Sequence, residues 1–194
     1  MLKSAFLTLV LLAISIGGGA ASVWYALQAQ EGVGAVTISG WTAFPDIGTP
    51  NADPYSKARI ARQVVLSLGR AEGLAFSAQQ DSSGQPLMAE CRYRIEGKVP
   101  VARFWTLHVT DRHGVPLESR EGEPAALHSI GLLRLAGDSV LIAIGPHPEP
   151  GNWLPLSGTG AMAFVLTLYD TPIASSTGIA NIEMPQILKV GCSD

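Results

Sequence analysis

The densest cluster of polar residues runs from residue 53 to residue 72, and it includes Tyr55, Arg59 and Arg62. Guanidinium groups bind carboxylates through paired hydrogen bonds, so this cluster is a candidate site for a carboxylate or a sugar acid. The same pattern is typical of the solvated face of a helix, where an exposed ion pair contributes under about 1 kcal/mol. The sequence favours the solvated face, and the ligand site stays open as the alternative.

A second candidate is the loop His147–Gly158, HPEPGNWLPLSG, in which Asn152 and Trp153 stand among prolines and glycines. Proline fixes its own φ and glycine adopts angles that other residues avoid, so we expect neither a helix nor a central strand here. We predict a structural latch, with Trp153 buried against the end of the domain and Asn152 bonded to backbone groups of the loop. The alternative is a binding lip, in which both residues contact a ligand.

The aromatic side chains extend this second interpretation. If they converge at one end of the domain, they form a pocket of the kind that carbohydrate-binding proteins use, lined by Trp41, Phe44, Tyr55, Trp105 and Trp153. Together with the polar cluster, this gives a candidate ligand-binding set of Tyr55, Arg59, Arg62, Trp105, Asn152 and Trp153.

No pattern in the chain predicts catalysis, a metal or a cofactor. The four histidines, at positions 108, 113, 128 and 147, show no HxxxH or HxH spacing. Serines are frequent, but none stands in a G-x-S-x-G elbow. The glycine-rich stretch SGTGA lacks the Lys-Ser/Thr ending of a phosphate-binding loop. We therefore predict no catalytic residues, no metal and no cofactor.

The two cysteines, Cys91 and Cys192, are predicted to form a disulfide, because the body of the chain is expected to be exported to an oxidising compartment. The alternative is two free, buried thiols. In the chain-entropy model a loop of this length is worth up to roughly 4–5 kcal/mol. The bond would fix the C-terminal tail to a strand in the first half of the domain.

Export is predicted from the N-terminus, where no charged residue occurs between Lys3 and Glu31. Residues 5–27 would form a helix of about 35 Å, enough to cross a hydrocarbon core of roughly 30 Å. Lys3 precedes the segment, so the N-terminus is expected in the cytoplasm. The alternative is a signal peptide cleaved near GGAAS. We favour a retained single-pass anchor in residues 1–30, because apolar residues continue beyond that point.

The exported body carries all of the 13 basic residues except Lys3 and all 16 acidic residues, which gives a net charge of −4. These charges are scattered, without a basic run, so nucleic acid is not expected as a partner.

The body reads as a short linker, one helix and a series of strands. Residues 31–40 are small and polar and are interpreted as the linker. Asp53 suits an N-cap and Pro54 a first helical position, so we predict an amphipathic helix over 54–68 with its apolar stripe on Ala58, Ala61, Val65 and Leu68.

Strand patterns are predicted in GLAFSAQQ, MAECRYRIEG, ARFWTLHVTD, SIGLLRL, SVLIAIG, AMAFVLTLYD and QILKVGC. The sequence predicts a mainly β domain over 41–194, an antiparallel β-sandwich of jelly-roll type.

Several blocks resemble the domain-of-unknown-function family numbered 1214, namely GWTAFPDIGTPNADPYSKARIAR, LGRAEGLAF, CRYRIEGKVPVARFWTLHVTD, PGNWLPLSGTGAMAFVLTLYDTP and ILKVGC. The resemblance covers about residues 40–192 and implies a β-rich, jelly-roll-like domain of bacterial envelope or secreted proteins. It implies no activity. Longer relatives carry a companion domain, numbered 1254, which this chain lacks and which a separate partner chain would supply.

Two functional hypotheses follow. The first is a non-enzymatic cell-envelope domain, anchored in the bacterial inner membrane with its body in the periplasm, that binds a partner protein or a small ligand. The alternative is an enzyme of unrecognised type that acts on envelope glycans or small molecules, using the Tyr55/Arg59/Arg62 face and the Trp153 loop.

Overall fold

The computed structural model describes residues 2–28, 34–50, 52–63, 68–69, 71–175 and 182–192. Its first element is the helix α1 (Leu2–Gln28), of which Lys3–Ala26 is long and apolar enough to cross a membrane. No part of that segment is buried against the rest of the chain. The predicted N-terminal apolar helix is therefore present, with the length that a membrane span requires.

The described part of the body is built from two sheets. Its strands in chain order are β1 (Val36–Ile38), β2 (Trp41–Ala43), β3 (Gly73–Ala78), β4 (Cys91–Lys98), β5 (Phe104–Asp111), β6 (Ala126–His128), β7 (Ser139–Gly145), β8 (Asn152–Pro155), β9 (Met162–Tyr169) and β10 (Gln186–Cys192). One sheet has the order β1-β2-β3-β9-β5-β6 and the other the order β10-β4-β7-β8. This confirms the predicted mainly β, sandwich-like fold.

The core lies between the two sheets and follows the period of two along each strand. In β4 the side chains of Cys91, Tyr93 and Ile95 are buried, whereas those of Arg92 and Arg94 are exposed. The strand β5 alternates in the same way from Phe104 to Val109, whereas in β9 the outward-facing Ala163 and Thr167 are buried as well. The large apolar residues of both strands belong to the core. The opposite side of the first sheet is only partly open. Thr42, Thr110, Ala163 and Thr167 on that side are themselves buried, and the accessible residues lie around Phe104.

The predicted disulfide is confirmed. Cys91 and Cys192 form the terminal pair of the β4–β10 ladder, with their Cα atoms 3.8 Å apart. The bond closes a sequence separation of 101 residues, so it ties the last described strand to the centre of the second sheet.

The predicted helix is present over its first ten residues, and its buried side differs from the prediction. The helix α2 spans Pro54–Gln63 and Leu68 is not helical, whereas residues 64–67, with Val65 of the predicted stripe, lie outside the described residues. Ala58 and Ala61 are exposed, so this part of the predicted apolar stripe is wrong. Among the side chains of α2 that the structure describes, the buried one is Ser56, 3% exposed, whose hydroxyl is bonded to the capping residue Asp53. The side of α2 that carries Ser56 therefore faces the domain.

Two stretches of the sequence fold differently from their predicted roles. Val36–Ile38 falls within the segment interpreted as a linker, yet it pairs with β2 and forms the edge of the first sheet. The stretch 129–135, SIGLLRL, is predicted as a strand, but only Arg134 makes an isolated bridge, to Val140. It remains a loop because the side chain of Asn152 takes the backbone groups of Leu133 that a strand partner would use.

The proline-rich loop contains the edge strand β8, which runs parallel to β7, so the second sheet is mixed rather than antiparallel. The chain turns back after Gly145, and Asn152 pairs with Ile142. Pro155 is tolerated at this position because a strand at the edge of a sheet does not need every amide as a donor. The expectation that no central strand crosses this loop holds, since β8 lies at the edge.

Candidate functional site

The side of the first sheet that faces away from the core has an unusual composition. We call it the outer face, and its side chains are those of Thr37, Thr42, Ala75, Ser77, Phe104, Thr106, His108, Thr110, Ala126, His128, Ala163, Val165, Thr167 and Tyr169. None of these is aspartate, glutamate, lysine or arginine. The solvated face of an antiparallel sheet usually alternates polar and charged residues outward, so an uncharged face rich in threonine and aromatic rings points to a contact surface.

The strand register places these residues in rows across the sheet. One row contains Thr167 of β9, Thr106 of β5 and His128 of β6, each opposite the next. The neighbouring row pairs Tyr169 with Phe104. Residues directly opposite on one face lie close enough to interact, so the two rows form one patch. Thr167 is only 7% exposed, so the accessible part of this patch is formed by Phe104, Thr106, His128 and Tyr169.

Three rings form the aromatic part of the patch. The ring centroids of Phe104 and His128 are 6.0 Å apart with planes 29° from parallel, and those of Phe104 and Tyr169 are 5.8 Å apart. These separations are those of favourable aromatic pairs. A Cβ at Gly131 would lie 3.1 Å from Cε1 of His128, so the loop after β6 passes close against the imidazole and supports it.

Polar groups border the rings. The hydroxyls of Thr106 and Tyr169 and the imidazole of His108 belong to partly exposed residues of the outer face. Burial lowers the pKa of His108 below its ordinary value, because the charged imidazolium loses hydration there. The imidazole is therefore neutral at pH 7, and it offers one donor and one acceptor without adding charge to the face.

A groove of about 880 Å³ lies elsewhere, between the β1–β2 turn, the start of β7 and the segment that precedes β10. Its lining mixes charges of both signs, with Lys98 4.0 Å from Glu183 in an exposed ion pair. Asp81 also lines the groove, but one of its carboxylate oxygens accepts three bonds from Ser83 and Gln85. Burial alone would raise the pKa of Asp81. The hydrogen bonds from Ser83 and Gln85, together with the positive charge of Lys189, outweigh the effect of burial, so the pKa of Asp81 is lowered overall.

One buried polar atom has no partner among the described residues. It is Oε2 of Glu90, whose other carboxylate oxygen accepts a hydrogen bond of 2.8 Å from the amide of Gly160. Tyr93 has a raised pKa, caused first by burial and then by the charges of Asp81 and Glu90, so its hydroxyl keeps its proton at neutral pH. This hydroxyl accepts a hydrogen bond from the amide of Met88, which gives it a structural role.

The residues predicted from the sequence do not share one location. Tyr55 is exposed at the start of α2, and the side chains of Arg59 and Arg62 lie outside the described residues. Trp105 is 3% exposed and belongs to the core, so a ligand would reach it only if the core opened. Trp41, another member of the proposed aromatic pocket, is fully buried and donates its indole N–H to the carbonyl of Pro185.

The contacts of the 147–158 loop differ in part from those predicted for a latch, because Asn152 bonds to backbone groups outside the loop and Trp153 is only half-buried. The amide of Asn152, 7% exposed, accepts a hydrogen bond from Leu133 N–H and donates to the carbonyls of Leu133 and Leu141. Trp153 is half-buried and donates its indole N–H to the carbonyl of Gly145 at 3.1 Å. The deeply buried anchor is Leu154, 1% exposed. A role of Tyr55, Arg59, Arg62, Asn152 or Trp153 in ligand binding stays a prediction.

Comparison with known proteins identifies the family. The model of the family described as "Protein of unknown function (DUF1214)" matches residues 72–173, more than half of the chain. The chain belongs to the DUF1214 family. The matched region runs from β3 to β9, so most of the outer face lies within the DUF1214 domain. The family resemblance read from the sequence blocks is thereby confirmed. A comparison with curated proteins gave no significant match.

The fold of this DUF1214 protein is similar to that of a solved structure. The VPA0106 protein from Vibrio parahaemolyticus aligns with a TM-score of 0.57 and 16% identity, over 72% of this chain and 36% of that one. An uncharacterized protein from Burkholderia cenocepacia aligns over 92% of this chain and 51% of that one, with 15% identity and a TM-score of 0.40. The DUF1214 chain thus spans only about a third to a half of the length of these two proteins.

Sequence reasoning missed Phe104, His128 and Tyr169. The alternation in FWTLHVTD and AFVLTLY does place Phe104 and Tyr169 opposite the buried residues of their strands. What the sequence lacks is the register between β5 and β9, which are separated by some fifty residues of chain. The strand β6, only three residues long, carries no period that would assign His128 to a face.

Proposed function

We propose that this DUF1214 protein is a membrane-anchored, exported binding domain that takes a neutral, polyhydroxylated ligand, such as an oligosaccharide chain, on its outer face. The observation that carries the proposal is the uncharged patch of aromatic rings and hydroxyls formed by the rows around Phe104 and Thr106. Sugar rings offer apolar C–H surfaces and many hydroxyls, and this patch offers complementary groups for both.

The location is part of the same proposal. The helix α1 is long enough to anchor the chain, and the Cys91–Cys192 bond is stable in an oxidising compartment rather than in a reducing cytosol. We infer that α1 spans the bacterial inner membrane once, with the N-terminus in the cytoplasm and the β domain in the periplasm.

The absence of charged side chains on the outer face indicates that the ligand is neutral. An anionic polymer would find no lysine or arginine there, and a cationic one no carboxylate. Burying a charged group against unpaired surroundings is costly, so the face discriminates against both. Neutral oligosaccharides are therefore expected to bind, whereas uronic-acid polymers of equal length are not.

The test is a titration of the purified full chain in detergent with neutral oligosaccharides, followed by calorimetry or by chemical-shift changes. We expect Tyr169→Ala and His128→Ala each to weaken binding at least about tenfold, since each removes a ring of the patch. Tyr169→Phe removes one hydroxyl and is expected to weaken binding about 3- to 10-fold. Gly131→Ala displaces the imidazole of His128 and is expected to resemble His128→Ala.

Tyr55→Ala is the matched control, because Tyr55 is an exposed aromatic residue on α2, outside this patch. Its binding is expected to equal that of the unchanged protein. Loss of binding in Tyr55→Ala with no loss in Tyr169→Ala would move the site to the polar cluster predicted from the sequence. Preference for uronic-acid polymers over neutral chains would overturn the ligand class.

The companion domain implied by the family resemblance is a further part of this proposal. The chain aligns with 36% of the length of the Vibrio protein, and we propose that a separate chain carries the companion domain. Crosslinking in cells of the source organism, followed by mass spectrometry, should recover a chain with the companion domain numbered 1254. Its absence from all crosslinked species would remove this part of the proposal.

A further inference from the structure

The loop that follows β6 exposes large apolar side chains. Within residues 130–135, which we call the apolar loop, Ile130 is 82% exposed, Leu133 68% and Leu135 53%. Single exposed apolar residues are ordinary on protein surfaces, but several in one short segment mark a contact with another apolar medium or with a protein.

This exposure is imposed by a well-bonded backbone. Both backbone groups of Leu133 are bonded to the side chain of Asn152, at 2.7 and 2.8 Å. The amide of Leu135 donates to the carbonyl of Ser139 at 2.8 Å, and Gly131 donates to His128. The backbone of the loop is therefore already ordered with its leucines exposed. Burial of these leucines by a partner would cost little further chain entropy.

The position of the membrane anchor decides what covers the loop. From Gln28 at the end of α1 to Gly34, the first described residue of the body, there are six residue steps, which reach about 20 Å at full extension. A domain of this size is roughly 30 Å or more across. The body therefore stays within reach of the bilayer surface in every orientation, and the bilayer is the nearest apolar medium.

The charge and location of the loop fit a lipid surface. The one charged residue of the apolar loop, Arg134, is cationic and is paired with Asp138, so the segment carries no net negative charge, unlike the body as a whole. Leu135 also borders the groove whose rim contains Ser39 and Gly40, directly after β1. The loop and the N-terminal hairpin, where the chain arrives from α1, thus border one groove.

We propose that the apolar loop inserts into the interfacial region of the membrane that holds α1, so that Ile130, Leu133 and Leu135 dock the β domain against the lipid surface. Apolar side chains buried at the headgroup–acyl boundary stabilise such docking in proportion to their area, and the tether raises the effective concentration of the loop at the bilayer. The domain would then have one fixed orientation relative to the membrane.

The experiment uses the full chain reconstituted into vesicles of phosphatidylcholine and phosphatidylglycerol, with a nitroxide on Leu133→Cys and the native disulfide left oxidised. We expect the label to relax several-fold more with oxygen, which concentrates in lipid, than with a water-soluble nickel chelate. The control is Val115→Cys, 60% exposed in the turn after β5, where the opposite ratio is expected. The amide of Ser129, just before the apolar loop, donates to the carbonyl of Trp105, and the turn lies about 20 Å farther along β5 from Trp105. The control position is therefore distant from the apolar loop.

Each other outcome overturns the proposal. Equal access of the nickel chelate to positions 133 and 115 would show that the loop is in water. Protection of position 133 from both reagents would show a protein partner or a second copy instead of lipid. Ile130→Cys provides an independent label if Leu133→Cys folds poorly, which circular dichroism checks.

Discussion

At the scale of single residues, Asn152 holds together three segments of the chain. Its side-chain amide bonds to Leu133 in the apolar loop and to Leu141 in β7, while its backbone lies in β8. The amide of Asn152 is buried, so its removal would eliminate three hydrogen bonds that fix these segments to one another. An asparagine suits this position because it offers donors and an acceptor from one short side chain.

We predict that Asn152→Ala lowers the free energy of unfolding by about 2–4 kcal/mol, because it removes three side-chain hydrogen bonds to Leu133 and Leu141. Asn152→Asp is expected to be similarly destabilised at neutral pH, since its second carboxylate oxygen would face two carbonyl oxygens. Protonation restores a donor, so the aspartate variant should regain stability as the pH falls. Thermal unfolding of the detergent-solubilised chain at pH 4.5 and 7.5 measures both effects. Unchanged melting of both variants would contradict this role.

Asp53 is the residue whose charge supports α2. Its pKa is lowered first by the hydrogen bond from the Ser56 hydroxyl and then by the backbone amides of Ser56 and Tyr55. A lowered pKa in the folded state means that the carboxylate stabilises the helix above its unfolded pKa of about 3.9. This contribution is lost as the pH falls through the lower, folded value.

We therefore predict that hydrogen exchange of the α2 amides accelerates below about pH 4, relative to exchange in unstructured peptides. Asp53→Asn keeps a cap acceptor without the charge and should show no such dependence. Titration of the Asp53 carboxyl by NMR checks the sign directly. A midpoint at or above the ordinary aspartate value would contradict the lowered pKa.

At the scale of elements, β8 converts a proline-rich loop into the edge of a sheet. Leu154 and Leu156 are buried, and Trp153, which directly precedes Leu154, is half-buried. The latch interpretation of this loop is therefore supported by Asn152 and the two leucines as much as by the tryptophan.

We predict that Trp153→Ala costs about 2–4 kcal/mol, somewhat less than a fully buried aromatic, and that Leu154→Ala costs about 2–5 kcal/mol. Both losses should appear in the melting temperature without any ligand. Trp153→Phe keeps the ring but loses the bond to Gly145, so about 1 kcal/mol is expected. If Trp153→Ala instead melts within a degree of the unchanged chain, the tryptophan is a binding residue and not part of a latch.

The same elements explain how far the sequence leads. The strands β3, β4, β5, β7, β9 and β10 are predictable because each is six or more residues long and shows its period of two or a continuous apolar run. The strands β1, β2, β6 and β8 have three or four residues, too few for any period to show. The stretch SIGLLRL looks like a strand, but a tertiary contact, the Asn152 amide, takes its backbone groups. The outer face depends on strand register, which is set by the assembled sheet.

At the scale of the whole molecule, the proposed arrangement in the membrane rests on α1. We predict that alkaline phosphatase fused after Asp194 is active and that a cytoplasmic fluorescent reporter at the same position is dark, because the body would be exported. N-terminal sequencing of the mature protein distinguishes a retained membrane anchor from a cleaved signal peptide. A mature N-terminus near Ser22 would keep export and remove the anchor, whereas a silent phosphatase would contradict export itself.

If α1 anchors the chain in a membrane as we propose, the disulfide has a mechanical consequence. A force that pulls the body between Gly34 and Cys192 can extend only the residues before Cys91, because the covalent bond bypasses the 101-residue stretch behind it. At full extension this is about 200 Å of chain, against about 570 Å once the bond is reduced. The first contacts to open would be those of the β1–β2 hairpin, three residue pairs that can unzip one at a time. The residues between Cys91 and Cys192 form most of the sandwich and bear none of this force while the disulfide is intact. Only the part of the domain that precedes Cys91 can therefore be stretched.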